Sequence, residues 1–309
     1  MHTETERIFG TLQVLVEPYL TVRLPGHEDG GTIVPFVWDI SEQGEFNIIN
    51  LCLANGWLQL TDVDIIIKSW QELEYLEFFP KINLSWLEKN IRNNKLAALF
   101  QFLQTNLQEL QSFRFKKAYY PTSSFVIGRT EEGNWICICP TVYTETGIPQ
   151  ELISRSPLSQ STSSQLYGQN TLNFISQIEA ITSEIGTISL EGDFGGGYDY
   201  SYDHQIVYGF AVSKELAFEQ AFQKARLLEL KQFHSFYTDK NYLSDYYEED
   251  YEEIYAKYEQ VNKFFNQRFP EVIMYRFSFF TQEHIYIIGQ SNPGDWVGLY
   301  LKSEFVYNP

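Results

Sequence analysis

Cysteine is scarce in this chain, with three among 309 residues. So few, and an odd number, exclude the disulfide framework of a small secreted scaffold and fit a reducing compartment. Cations are scarce too. Lys and Arg number 22 against 40 Asp and Glu, a formal charge of −18. That excludes the phosphate-neutralising surface that direct nucleic-acid binding needs, and it favours a basic protein partner or serves solubility alone. Long apolar runs are missing: nothing approaches the ~18 residues of a membrane span. Met1-His2-Thr3-Glu4-Thr5-Glu6-Arg7 lacks the basic start and apolar core of a leader. A soluble, cytoplasmic protein is expected.

Catalytic signatures are equally thin. His2, His27, His204, His234 and His284 never stand at metal-ligand spacing. Asp193-Phe194-Gly195 lacks the accompanying loop and lysine strand of a kinase, and Gly195-Gly196-Gly197 lacks the Lys-Ser/Thr of a phosphate cradle. His27-Glu28-Asp29 reads as loop side chains facing water rather than a cation site. Cys137 and Cys139 alternate on one side of a strand and read as core. The expectation is a non-enzymatic protein with no catalytic residue, metal or cofactor.

What the chain does have is a repeat. Phe125-Val126-Ile127-Gly128, a turn, then Gly133-Asn134-Trp135-Ile136 returns as Tyr286-Ile287-Ile288-Gly289, a turn, then Gly294-Asp295-Trp296-Val297. The copies lie 161 positions apart (289 − 128) without a gap. Each reads as a hairpin, an apolar strand ending at Gly and a return strand opened by Trp. Upstream of the first copy, Leu96, Leu99, Phe100, Leu103, Leu107 and Leu110 form one helical stripe; upstream of the second, Tyr251, Ile254, Tyr255, Tyr258, Val261 and Phe265 do the same. Phe113-Arg114-Phe115 and Tyr275-Arg276-Phe277 intervene in each case. A period this long implies two homologous domains rather than a solenoid, whose units run ~20–50 residues.

Polar, nearly uncharged residues 149–166 read as a Ser-rich linker between domains at 1–148 and 167–309. In the first domain, residues 5–17 form a helix ended by Pro18, and Ile33–Asp39 is a strand that Pro35 confines to an edge or a bulge. Residues 57–67 fit strand and short helix equally. In the second, Leu172, Ile175, Ile178, Ile181 and Ile185 share a helix face, and Gly192–Asp203 reads as an acidic, aromatic loop. A strand spans Gln205–Val212, and a helix over Lys214–Lys231, without counterpart in the first domain, reads as an insertion.

With helix, aromatic-Arg strand and hairpin in this order, the chain resembles the nuclease A inhibitor (NuiA-like) family of small acidic cyanobacterial proteins that block a sugar-non-specific, metal-dependent nuclease. Pro35-Phe36-Val37-Trp38 is similar to the family's first strand, and Phe233-His234-Ser235-Phe236-Tyr237 with the acidic run after it to its helix entry. The resemblance implies an α+β fold, as two tandem homologous α-β-α sandwich domains. It implies a partner that is a basic Mg²⁺-dependent nuclease, met by carboxylates in place of phosphate: a loop acid before the Trp strand, and the terminal carboxylate. Glu28 and Asp29 hold the loop position in the first domain, Glu191 and Asp193 in the second, and Pro309 ends the chain. The first domain has no free end, because Glu145 runs on. The alternative is a module of the same fold that binds another protein and inhibits no nuclease.

Overall fold

The structure is a computed structural model describing residues 1–17, 20–22, 24, 31–72, 81–82, 84–116, 124–142, 148–158, 167–193, 199–244, 251–279, 282–292 and 294–304. Along the chain come α1 (Thr3–Val16), β1 (Ile33–Trp38), α2 (Ile40–Gln43), α3 (Ile48–Ala54), β2 (Leu58–Thr61), α4 (Val63–Glu72), β3 (Lys81–Ile82) and α5 (Trp86–Asn106). Then follow β4 (Gln108–Phe115), β5 (Ser124–Arg129), β6 (Trp135–Pro140), β7 (Ile153–Pro157), α6 (Gln169–Ile185), β8 (Ile188–Asp193), β9 (Asp199–His204) and β10 (Ile206–Ala211). The last are α7 (Lys214–Lys224), β11 (Leu228–Phe236), α8 (Lys240–Ser244), α9 (Tyr251–Arg268), β12 (Val272–Phe279), β13 (Gln282–Gln290) and β14 (Trp296–Glu304). Helices and antiparallel sheets make this an α+β fold.

Two compact units divide the chain, and each draws on both sides of the Ser-rich stretch. The first comprises Met1–Phe46, Glu145–Ser161 and Leu228–Tyr307; the second comprises Asn47–Thr144, Thr162–Leu227 and Asn308–Pro309. The first unit holds a six-stranded sheet in the order β1-β14-β13-β12-β11-β7. Its core joins Ile8, Leu12 and Val16 of α1 and Tyr258, Val261 and Phe265 of α9 to Met274, Ile287 and Leu299 on the sheet. Pro35 lies opposite Leu299 on an outermost strand, where a missing N–H costs no ladder bond. Ile153–Pro157, inside the expected linker, is the other outermost strand, because Arg155 is fixed there by Glu229 at 2.9 Å and by the Ile153 carbonyl at 3.0 Å.

The second unit holds the sheet β10-β6-β5-β4-β2 and the small sheet β3-β8-β9. Its core joins Leu96, Leu99, Phe100 and Leu103 of α5 and Phe174, Ile178 and Ile185 of α6 to Val126, Ile136 and Ile138. A capping box of Ser85 and Glu88 starts α5. The helix stops at Asn106, so Leu107 and Leu110 of the expected stripe fall beyond it, and Glu109 turns the chain at φ 51. Residues 57–67 contain both a strand, β2, and the start of a helix, α4. Leu172 points outward, the buried stripe of α6 being Thr171, Phe174, Ile178 and Ile185.

The helix expected over Lys214–Lys231 ends at Lys224, and Leu228 already belongs to β11. Arg226 at φ 68 makes the stop, with Ala225 N bonded to Ala221 O, Arg226 N to Gln223 O and Leu227 N to Phe222 O. The same three bonds close α3: Asn55 N to Leu51 O, Gly56 N to Leu53 O and Trp57 N to Cys52 O, with Gly56 at φ 66. So α7 and α3 close in the same way, 170 positions apart (226 − 56). Part of Gly192–Asp203, expected as a loop, is ribbon: Gly192 pairs with Tyr200 and Asp193 with Asp199.

Candidate functional site

The end of the first sheet is built around a neck. Leu20, Val22 and Leu24 are buried. Ile33 N bonds to Leu20 O at 2.9 Å, Val22 N to Gly31 O at 3.2 Å, and Thr21 bridges Thr32. The Tyr258 hydroxyl donates to the Thr21 carbonyl and fixes the neck to α9. Glu28, Asp29 and Pro309 lie outside the described residues. Ile33 pairs with Leu301, and a Cβ on Gly31 would collide with the Lys302 carbonyl. A glycine is therefore required where the chain returns against the last strand, which ends at Glu304, five positions before Pro309 (309 − 304).

Glu191 and Asp193 belong to the second unit. Glu191 is exposed on β8, opposite Lys81 on β3; Asp193 ends the same strand. The far end of this ribbon, where Ile188 pairs with His204, is stapled. Thr141 N donates to Gln205 O at 2.8 Å, its hydroxyl donates to Asp203 O at 2.9 Å and accepts from Gln205 N at 3.0 Å, and its carbonyl meets His204 Nδ1 at 3.3 Å. Burial holds His204 neutral, its pKa pushed down to about 3 by desolvation and by Arg92 nearby.

The repeated hairpins clasp helices. Neither α1 nor α6 receives a side-chain cap from its own N-cap residue, His2 or Gly168. In the first unit, buried Asp295 accepts from the Thr5 hydroxyl at 2.8 Å and from Ile40 N at 3.1 Å, and Ser291 Oγ lies 3.1 Å from the same hydroxyl. In the second, Glu132 accepts from Thr171 N at 3.1 Å and from its hydroxyl, and Asn134 Nδ2 donates to that hydroxyl at 3.1 Å. Acids at a helix start satisfy orphan N–H groups and suit the helix dipole. Gly168 leaves the room: a Cβ there would meet Glu132 Oε1 at 2.8 Å. Sequence reasoning missed this role, although Thr/Ser at the first turn position and Asn/Asp before Trp recur in both hairpins.

Among the described residues no group of three His, Cys, Asp or Glu is placed to hold a metal. Cys52, Cys137 and Cys139 are buried and free, and desolvation raises all three thiols. Arg276 is buried between Glu283 and Glu229, so its charge is paired inside rather than shown to solvent. A cleft of about 630 Å³ beside the first clasp includes Glu4 and Arg268, which lie 3.6 Å apart. No described helix is long and apolar enough to cross a membrane.

No curated protein and no solved structure matches the chain. A family model described as "Nuclease A inhibitor-like protein" matches residues 199–303, about one third of the length (105 of 309). The match begins with β9, β10 and α7 of the second unit and runs through β11 to β14 of the first. Residues 199–303 are thus similar in sequence to nuclease A inhibitor-like proteins.

Proposed function

We propose that the chain is a non-enzymatic, acidic, cytoplasmic protein that binds and inhibits a basic, sugar-non-specific, Mg²⁺-dependent nuclease, its carboxylates taking the place of a phosphate. The single observation that carries this reading is the family match over residues 199–303. The chain's charge of −18 supports it, since acidic steering speeds docking on a basic partner. A hard Mg²⁺ takes oxygen ligands and keeps exchangeable waters, so a carboxylate is a fitting mimic.

The binding residues in this reading are Glu28, Asp29, Glu191, Asp193 and Pro309. Residues 1–148 and 167–309 are then two copies of one ancestral α-β-α module. The matching closures of α3 and α7, 170 positions apart, and the two hairpin clasps support that duplication.

The test is degradation of plasmid by a sugar-non-specific, Mg²⁺-dependent nuclease, with the chain titrated in. Near-stoichiometric suppression is expected. Undiminished cleavage at large molar excess overturns the inhibitor reading. The alternative, the same module turned to a different protein, is supported by β6 continuing into Thr141 rather than ending free. Recovery of a stable partner without nuclease activity would favour it.

A further inference from the structure

The outermost strand beside each repeated hairpin comes from the opposite half of the chain. In the first unit β14 takes β1 on its outer side, with Trp38 opposite Trp296. In the second, β6 takes β10, with Ala211 opposite Trp135. Trp135 and Trp296 hold the same place in the two hairpins, so Trp38 and Ala211 hold the same place against them. The cores agree: α1 packs with β12 to β14, whereas α6 packs with β5 and β6. The clasps agree as well, since Asp295 holds Thr5 and Asn134 holds Thr171.

We infer that two related modules have exchanged their amino-terminal helix–strand segments, so that the outer edge of each module's last strand is the docking surface for the other module's segment. This rests on the two-module part of the proposed function and not on nuclease inhibition. The physical drive is the same at both edges. An open outer strand is a row of unmet N–H and C=O groups beside an apolar stripe. A helix–strand segment closes both at once, and its hydrogen bonds and register are the same whichever copy supplies it. Within one chain the other half is always at hand, so exchange carries no cost of bringing two molecules together. The family match supports this from sequence, because its contiguous residues 199–303 are shared between two folded units.

Cysteine pairing separates exchanged from unexchanged halves. Cα atoms of antiparallel partners lie about 4.5–5.5 Å apart, within the reach of a disulfide. Val207 faces Cys139, and Val34 faces Tyr300. Cys139 and Tyr300 are equivalent positions (300 − 139 = 161). Were each half folded on itself, Val34 would face Cys139 and Val207 would face Tyr300. Under mild oxidation, peptide mapping of Val207→Cys is expected to show a 207–139 disulfide. Val34→Cys/Tyr300→Cys is expected to show 34–300. A 34–139 disulfide in Val34→Cys overturns the exchange. Where a thiol pair stays reduced, a protease site placed within residues 159–166 of the full chain decides. Cut halves that co-elute and melt together support the exchange; two separately eluting folded fragments overturn it. Either result leaves the nuclease assay to be read on its own.

Discussion

Asp295 accepts a hydrogen bond of 2.8 Å from the hydroxyl of Thr5, which stands 290 positions earlier in the chain. The carboxylate is fully buried and also takes Ile40 N at 3.1 Å. Asp295→Ala strands both donors and is expected to cost about 2–3 kcal/mol in urea unfolding. Asp295→Asn keeps one acceptor oxygen and should cost less, as Asn134 serves at the equivalent place.

Gly209 lies on β10 directly under α7, where a Cβ would run into the Ala217 carbonyl and stand 2.5 Å from Ala221 N. Those are helix backbone atoms, which cannot rotate away. Gly209→Ala is expected to destabilise by about 1–3 kcal/mol or more. Gly10, inside α1 with nothing within 4 Å, provides the contrast. Gly10→Ala should stabilise by roughly 0.5–1 kcal/mol through the unfolded chain's lost freedom. Thermal midpoints moving in the same direction for both would refute this packing.

Two groups in the second unit give opposite pH dependences. His204 titrates near 3 when folded against 6.5 for the free side chain, because burial disfavours the cation. The unfolded state therefore binds the extra proton, so stability is full above pH 6.5 and is lost as pH falls toward 3. Glu219 is raised to about 7 by desolvation. Its contribution is present below pH 4.5 and is lost as pH rises through 7. Unfolding free energies across pH should show His204→Gln flattening the acid slope. Glu219→Gln should stabilise at pH 8 and do nothing at pH 4.

The three thiols are buried with raised pKa values, so almost no thiolate is available at neutral pH. A thiol reagent should label Cys52, Cys137 and Cys139 only after unfolding. Rapid labelling of the native protein would place at least one of them elsewhere.

Local features were legible because they are periodic. The stripes of α5 and α9, the two hairpins and the outermost position of β1 follow from spacing and from Pro35. The end of α7 was not, since Phe222, Ala225 and Leu228 suit a continuing helix until Arg226 turns to positive φ. Residues in the same local pattern also met different fates: Arg114 is exposed on β4, whereas Arg276 is buried between Glu229 and Glu283. Identical local patterns cannot report such differences in surroundings. Strand exchange was invisible for the same reason, because β1 offers one ladder and one apolar face that either hairpin accepts. At the candidate site, the sequence named Glu28, Asp29, Glu191, Asp193 and Pro309 as acids or chain end. The neighbourhood of Gly31 and Lys302 arises only from pairing across the fold.

Protein recognition by an acidic surface is what the functional reading stands or falls on, and direct titration probes it. Calorimetry of the full chain against a basic, Mg²⁺-dependent, sugar-non-specific nuclease should show saturable binding that weakens as NaCl is raised. Glu28→Gln/Asp29→Asn should weaken it further while leaving the unfolding midpoint unchanged. Absence of binding at low salt, or binding indifferent both to salt and to those two carboxylates, would contradict it.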